Sequence, residues 1–134
     1  MNDPLVIVAL YAGLLGLVLV WLTWTVLLWR KRTGIWFGDG DDAALGRAIR
    51  GQANFVETVP LTLLMLALMA HLGSPGIALH LFGTTLLVGR VLHGLHFSHP
   101  ERPRWLRAWG ATLSLATTFA VAIGLLLHAV SRMI

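Results

Sequence analysis

The sequence predicts an all-α integral membrane protein, folded as a bundle of four transmembrane helices. Three observations support this prediction. Of the 134 residues, 57% are hydrophobic and only 12% are charged, whereas soluble domains carry about 25% charged residues. Long apolar runs, each able to cross a hydrocarbon core of about 30 Å, alternate with short segments of helix breakers. No run alternates apolar and polar residues with a period of two, which disfavours a β-barrel.

The predicted spans cover residues 5–29, 43–72, 77–97 and 105–130. The first span contains no charge and no basic segment precedes it. It is also too long for the apolar core of a signal peptide, so we interpret it as a transmembrane helix. The second span is apolar after Arg50 except at Gln52, Asn54 and Glu57, and the third is interrupted by Arg90 and by histidines. Length and pattern together predict a single domain over residues 1–134.

Basic residues concentrate in two of the three predicted loops and their flanks: Arg30, Lys31, Arg32, Arg47 and Arg50 around the first, and Arg102, Arg104 and Arg107 around the third. The positive-inside rule therefore places both loops in the cytoplasm and both termini outside. In a bacterium this predicts the inner membrane. No basic face lies outside these loops, so we expect no nucleic-acid partner.

Four polar side chains lie on one face of the second span: Arg47, Arg50, Asn54 and Glu57. At 100° per residue they fall within an arc of about 80°. If Arg47 lies at the cytoplasmic boundary, Glu57 lies about 15 Å deeper, near the middle of the membrane. Ionisable groups at that depth are costly and usually face the bundle interior or a water-filled cavity.

The third span has a polar face of its own, formed by Arg90, His93 and Phe97 at positions i, i+3 and i+7. A buried arginine needs an acid, and Glu57 is the only acid deep within any predicted span. We therefore predict a structural ion pair between Arg90 and Glu57, with Asn54 bridging or orienting the two.

The surplus arginines at the cytoplasmic opening, Arg47, Arg50 and Arg107, leave two interpretations open. They could belong to a buried polar network that fixes helix register, or they could bind an anionic ligand, because guanidinium groups bind carboxylates in bidentate fashion. The excess of arginines over buried acids favours the ligand site. The chain has no cysteine, so any thiol chemistry must use a thiol supplied by a ligand.

A metal site is not expected. His93, His96 and His99 recur at intervals of three, but His99 precedes Pro100 beyond the predicted helix end, and no second carboxylate completes a ligand set. The fourth span carries a row of small residues that would let another helix approach closely. Its members are Ala108, Thr112, Ala116, Ala120 and Gly124.

Two segments resemble the MAPEG family, the membrane-associated proteins in eicosanoid and glutathione metabolism. The segment from Arg47 to Leu61, with Arg50, Asn54 and Glu57, resembles the family's second-helix signature, and Arg90 to Gly94 resembles its third-helix signature. The resemblance implies a homotrimer of four-helix subunits. It also implies that glutathione, as a cosubstrate, binds between neighbouring subunits near the cytoplasmic side.

Carried over residue by residue, the resemblance implies that Arg50, Asn54 and Glu57 bind glutathione and that His93 helps to hold it. Arg107 matches the arginine that stabilises the glutathione thiolate, and is thus the candidate catalytic residue. Arg90 matches the family's third-helix arginine, for which a structural role is implied. From its position at the same opening, Arg47 is added as a binding residue.

The resemblance implies a glutathione-dependent transferase or peroxidase acting on small lipophilic electrophiles that arrive from membrane lipid. Phe97 stands where some eicosanoid enzymes have tyrosine, and Ala108 where some members have serine, so eicosanoid chemistry is not expected. One alternative is a non-catalytic membrane protein that binds glutathione or lipid. The other is a small four-span transporter, which is disfavoured because such exporters place their essential acid in a first span that is uncharged here.

Overall fold

The computed structural model describes residues 3–134 and consists of four helices: α1 (Pro4–Thr33), α2 (Ala43–His71), α3 (Gly76–Ser98) and α4 (Arg104–Met133). All four are long and apolar enough to cross a membrane. The predicted four-helix membrane bundle is therefore confirmed. Helices α1 and α4 run a few residues beyond the predicted spans 5–29 and 105–130, because nothing in the flanking sequence breaks them earlier.

The helix ends follow from local sequence. Gly34 ends α1 with a φ of 73° and donates its N–H to the carbonyl of Arg30 at 2.9 Å. This left-handed conformation is one that glycine adopts without strain. Asp42 caps α2 by accepting the N–H of Leu45 at 2.8 Å. Pro75 and Pro103 precede α3 and α4, where their fixed φ favours the start of a helix.

The bundle is asymmetric. Helix α1 packs against α2 and α3, whereas α4 packs mainly against α3 and less extensively against α2. The main apolar core contains Val8, Leu15, Val18, Leu22, Phe55, Val59, Leu66, Met69, Ala70, Leu79, Leu86 and Val121. Since most of these side chains come from α1, α2 and α3, much of α4 is left facing outward.

Helices α3 and α4 approach most closely at two glycines. A Cβ atom added to Gly110 would lie 2.6 Å from the backbone nitrogen of His93 and 2.7 Å from the carbonyl oxygen of Gly89. A Cβ atom on Gly89 would in turn lie 2.7 Å from Ser114 Oγ. The crossing therefore requires glycine on both helices, and it brings Ser114 against the residue that follows Gly89, Arg90.

The row of small residues on α4 points away from the bundle. Ala108, Thr112, Ala116 and Ala120 are exposed, and Gly124 is half-buried. The row therefore does not pack inside this chain, and it is free to face lipid or another chain.

Candidate ligand-binding site

A cavity lies at the end of the bundle where α2 and α4 begin and α3 ends. We call it the arginine cavity. It has a volume of about 560 Å³ and is lined by Arg47, His96, Arg102, Arg104, Arg107, Ala108 and Ala111. Four of its seven lining residues are arginines and none is an acid. Its electrostatic character therefore suits an anion.

Arg47 is anchored to one wall of this cavity. Its Nη2 donates to the carbonyl oxygen of His96 at 2.8 Å and lies 3.3 Å from the Nε2 of the same residue. The guanidinium also lies over the ring of Phe97, 5.8 Å from its centroid. Its Nε is buried and has no hydrogen-bond partner within residues 3–134. A buried donor without an acceptor is costly, so this atom is a local source of instability within the described residues.

A second cavity, which we call the Arg90 cavity, lies next to the first and is lined by residues of α2, α3 and α4. Its volume is about 320 Å³. Ala111 lines both cavities, so they are adjacent along α4. The lining residues are Asn54, Glu57, Thr58, Leu61, Arg90, Ala111, Ser114, Leu115 and Thr118. The arginine cavity is lined mainly by cations, whereas the Arg90 cavity has a mixed polar and apolar lining.

Arg90 is held by neutral partners. It is only 4% exposed, and its Nε donates to Ser114 Oγ at 2.8 Å while its Nη1 donates to Asn54 Oδ1 at 2.9 Å. Ser114 Oγ can accept from Arg90 because its own proton is donated to the carbonyl of Gly110 at 2.7 Å. These bonds orient the guanidinium but do not neutralise its charge.

The predicted ion pair between Arg90 and Glu57 is wrong. Both residues line the Arg90 cavity, but Glu57 Oε1 instead lies 3.5 Å from Arg50 Nη1, the only salt bridge within residues 3–134. The reason is geometric. Arg50 and Glu57 are two helical turns apart on the same face of α2, where two long side chains can meet, whereas the glycine crossing carries Arg90 towards Ser114. The predicted contact of Arg90 with Asn54 is present.

The structure thus separates the sequence-predicted site residues into groups. Arg47 and Arg107 share the arginine cavity, and Asn54 and Glu57 share the Arg90 cavity. Arg50 lies on the outer surface of α2 with 64% of its side chain exposed. His93 is 6% exposed and packs on Phe97, with ring centroids 4.8 Å apart; it belongs to neither cavity wall.

Four site residues were missed by the sequence reasoning. Arg102 and Arg104 were treated only as indicators of orientation, His96 was considered only as a metal ligand, and Ser114 was not considered. One signal for Ser114 was present, because it shares a helical face with Arg107 at i+7. Within the described residues no group of three or more histidine, cysteine or acidic side chains is placed to hold a metal ion.

Comparisons with known proteins agree with one another. The sequence model of the MAPEG family matches residues 8–127. "Inner membrane protein YecN" of Escherichia coli (strain K12) is 34% identical over 100 residues, which cover 75% of this chain and 76% of that protein. The protein of the same name from Escherichia coli O6:H1 (strain CFT073) matches with the same identity and coverage. No solved structure matches the chain.

Proposed function

We propose, on the premise that this chain belongs to the MAPEG family, that it is a membrane-bound glutathione-dependent transferase or peroxidase. Its second substrate is a small lipophilic electrophile that reaches the site from the bilayer. The family places the chain among membrane proteins of glutathione and eicosanoid metabolism. What we propose beyond family membership is that glutathione is the cosubstrate and that the protein catalyses one of these two reactions.

The observation that carries the proposal is the arginine cavity. Glutathione has two carboxylates, and guanidinium groups bind carboxylates through short, charge-assisted hydrogen bonds. The cavity offers four arginines and no competing acid among its lining residues. Its volume of about 560 Å³ lies within the range of small-molecule sites, about 300–1,000 Å³.

In the proposed mechanism the arginines bind the carboxylates and lower the pKa of the glutathione thiol, because nearby positive charge favours the thiolate. Arg107 is the residue proposed to stabilise the thiolate. The sulfur then attacks the electrophilic carbon, a carbon–sulfur bond forms, and the leaving group departs with its electron pair. With a peroxide, the thiolate attacks one oxygen, a sulfur–oxygen bond forms as the oxygen–oxygen bond breaks, and the alkoxide leaves and takes up a proton. A second glutathione then reduces the resulting sulfenic acid, which gives glutathione disulfide and water.

The remaining candidate residues would orient glutathione. Asn54 accepts a bond from Arg90 through its carbonyl oxygen, which leaves its amide N–H groups free to donate to the ligand. Arg50, Glu57 and His93 are proposed binding residues on the family resemblance. Arg50 and Glu57 lie on the outer face of α2, where a ligand between two subunits could reach them.

Two observations support the proposed homotrimer. The small-residue row of α4 faces outward, and its member Ala108 lines the arginine cavity, so a neighbouring copy packed there would help to close the site. The Arg50–Glu57 pair is also exposed, by 64% and 52% of the respective side chains. Charged groups are costly against lipid, and a neighbouring subunit over this face of α2 would shield them.

We further propose an inner-membrane location with both termini outside and the two basic loops in the cytoplasm. The inner-membrane location rests on the four apolar helices and on the name of the Escherichia coli relative. The orientation rests on the distribution of arginine and lysine. The arginine cavity then opens to the cytoplasm.

Titration of the detergent-solubilised protein with glutathione, followed by the ultraviolet absorbance of the thiolate, tests the function. Wild type should bind glutathione as the thiolate and conjugate it to an aryl chloride activated by nitro groups. Arg107→Ala should lose both properties. Arg132→Ala is the matched control, because Arg132 lies in the last turn of the same helix. Absence of glutathione binding by wild type would contradict the proposal.

A non-catalytic glutathione-binding protein is the second candidate, and one observation favours it. None of the residues that line the arginine cavity carries a hydroxyl group. Ala108 stands there where some family members have serine, and Phe97 packs beneath Arg47 where some have tyrosine. Glutathione binding without thiolate absorbance, and without conjugation, would identify this function instead.

A further inference from the structure

Arg90 is a buried cation whose hydrogen-bonding capacity is only partly used. A guanidinium group has five N–H donors. Within residues 3–134 the side chain of Arg90 donates only from Nε, to Ser114, and from Nη1, to Asn54. Because Arg90 lines the Arg90 cavity, its remaining N–H groups are available to a molecule bound there.

The hydroxyl groups of the Arg90 cavity cannot take over this role. Thr58, Ser114 and Thr118 each donate to the carbonyl oxygen four residues earlier in their own helix, at 2.7–2.9 Å. A hydroxyl group has a single proton to donate, so these three side chains have none left for a ligand. Apart from the amide of Asn54, Arg90 is therefore the donor that the cavity lining still offers.

Arg90 also supplies the net charge of this cavity. Glu57 lines the same cavity, but its Oε1 lies 3.5 Å from Nη1 of Arg50, and that pair is neutral as a whole. A charge that is removed from water acts more strongly on its neighbours than the same charge in solution. The cavity therefore favours a molecule on which negative charge is present or develops.

The position of the cavity suits a second substrate that arrives from the membrane. Leu61 of α2 and Leu115 of α4 line it and are each more than half exposed, so the cavity opens at the outer surface between these two helices. Arg107 lies two helical turns before Ser114 on α4, about 10 Å along the axis. A thiolate at Arg107, the atom that it attacks and an oxygen at Arg90 together span a distance of this order.

We propose that Arg90 is a catalytic residue that binds the oxygen on which negative charge develops in the second substrate. The preferred electrophiles are then lipophilic epoxides and hydroperoxides, in which oxygen receives the electron pair, rather than alkyl halides. This inference deepens the proposed function and rests on it. Preorganised donors aimed at a developing oxyanion are among the largest contributions to catalysis.

With an epoxide, the thiolate sulfur attacks a ring carbon, and a carbon–sulfur bond forms while the carbon–oxygen bond breaks. The electron pair of the broken bond goes to oxygen, and the free N–H groups of Arg90 bind this alkoxide. The alkoxide then takes a proton from water, and the product is a hydroxy thioether. With a hydroperoxide, the sulfur attacks the terminal oxygen and Arg90 binds the oxygen that departs. A second glutathione then reduces the sulfenic acid formed on the first.

Steady-state kinetics with two matched electrophiles test the proposal. Styrene oxide and phenethyl bromide have the same carbon skeleton, but the electron pair leaves on oxygen in the first and on bromide in the second. Because loss of one oxyanion donor lowers kcat by about 10²–10³, Arg90→Gln should lower kcat about a hundredfold with styrene oxide and no more than about threefold with phenethyl bromide. Its affinity for glutathione should equal that of wild type, since Arg90 does not line the arginine cavity.

Ser114→Ala is a second variant that leaves the buried charge in place. It removes only the acceptor that orients Arg90 Nε, so it should lower kcat with styrene oxide by a smaller factor and leave kcat with phenethyl bromide unchanged. Arg132→Gln is the matched control, because Arg132 lies in the last turn of α4. It should keep the wild-type ratio of the two kcat values.

Equal losses with both electrophiles in Arg90→Gln, or no loss with styrene oxide, would overturn the proposal and leave Arg90 with a structural role. If Arg90→Gln does not fold, the ratio measured for Ser114→Ala decides by the same criterion. Wild type that conjugates phenethyl bromide but not styrene oxide would overturn this inference alone. Wild type that binds no glutathione would contradict the proposed function, and this inference with it.

Discussion

Gly110→Ala should destabilise the bundle because it adds a methyl group where two backbones meet. The new Cβ would lie 2.6 Å from the His93 nitrogen and 2.7 Å from the Gly89 oxygen, and both distances would have to open to about 3.4 Å, by 0.7–0.8 Å. The obstructing atoms belong to the backbone, so no rotamer change relieves them. Inserting a methyl group into a packed site typically costs about 1–3 kcal/mol.

The same separation would also strain the bond from Arg90 Nε to Ser114 Oγ, now 2.8 Å. A widening of about 0.7 Å brings it to the limit of a hydrogen bond, and losing a bond to a buried charge costs about 1.5–3 kcal/mol. The higher helix propensity of alanine offsets about 1 kcal/mol of this destabilisation. We therefore expect the free energy of unfolding to fall by about 2 kcal/mol or more.

The assay is reversible unfolding in mixed detergent micelles, followed by circular dichroism. Gly124→Ala is the matched control on the same helix, because the nearest atom to its new Cβ would be the Met69 Cε at 3.9 Å, an ordinary contact. That variant should be as stable as wild type or slightly more stable. Equal stability of Gly110→Ala and Gly124→Ala would refute the close crossing of α3 and α4.

Glu57→Gln should lower the free energy of unfolding by no more than about 1 kcal/mol, because its partner Arg50 is exposed and surface pairs contribute little; a loss of about 3–5 kcal/mol would instead indicate that Glu57 neutralises the buried Arg90. Ala116→Leu should reduce the trimer fraction seen by native mass spectrometry without unfolding the chain, and an unchanged oligomer would contradict packing through this face of α4. Phe37 is almost fully exposed in the first loop, so the cysteine of Phe37→Cys should resist an impermeant maleimide added to intact cells and react with it in inverted vesicles. The opposite pattern would contradict the proposed orientation.

Sequence patterns predicted the helices because a bilayer imposes a simple requirement: about 20 apolar residues must occur together to cross it. They also predicted that Asn54 and Glu57 share a helical face, since this follows from 3.6 residues per turn alone. The arrangement within one helix was therefore accessible without the structure.

Side-chain contacts between different helices could not be predicted in the same way. The partner of Arg90 depends on how α3 is rotated relative to α2 and α4, and the contacts at Gly89 and Gly110 set that rotation. No periodicity within a single helix encodes it. Arg102 and Arg104 likewise join the cavity only because the loop after His99 returns to the end of the bundle, so their charge predicted orientation but not the site.

The central claim is that the arginine cavity binds glutathione through its carboxylates, and a double-mutant cycle by calorimetry tests it most directly. Its four measurements pair glutathione and glutathione diethyl ester, which lacks both negative charges but keeps the thiol, with wild type and Arg47→Gln. Wild type should bind the ester at least about tenfold more weakly than glutathione. Arg47→Gln should weaken the binding of glutathione more than the binding of the ester. Equal affinity of wild type for the two ligands, or equal losses for both in Arg47→Gln, would contradict the account.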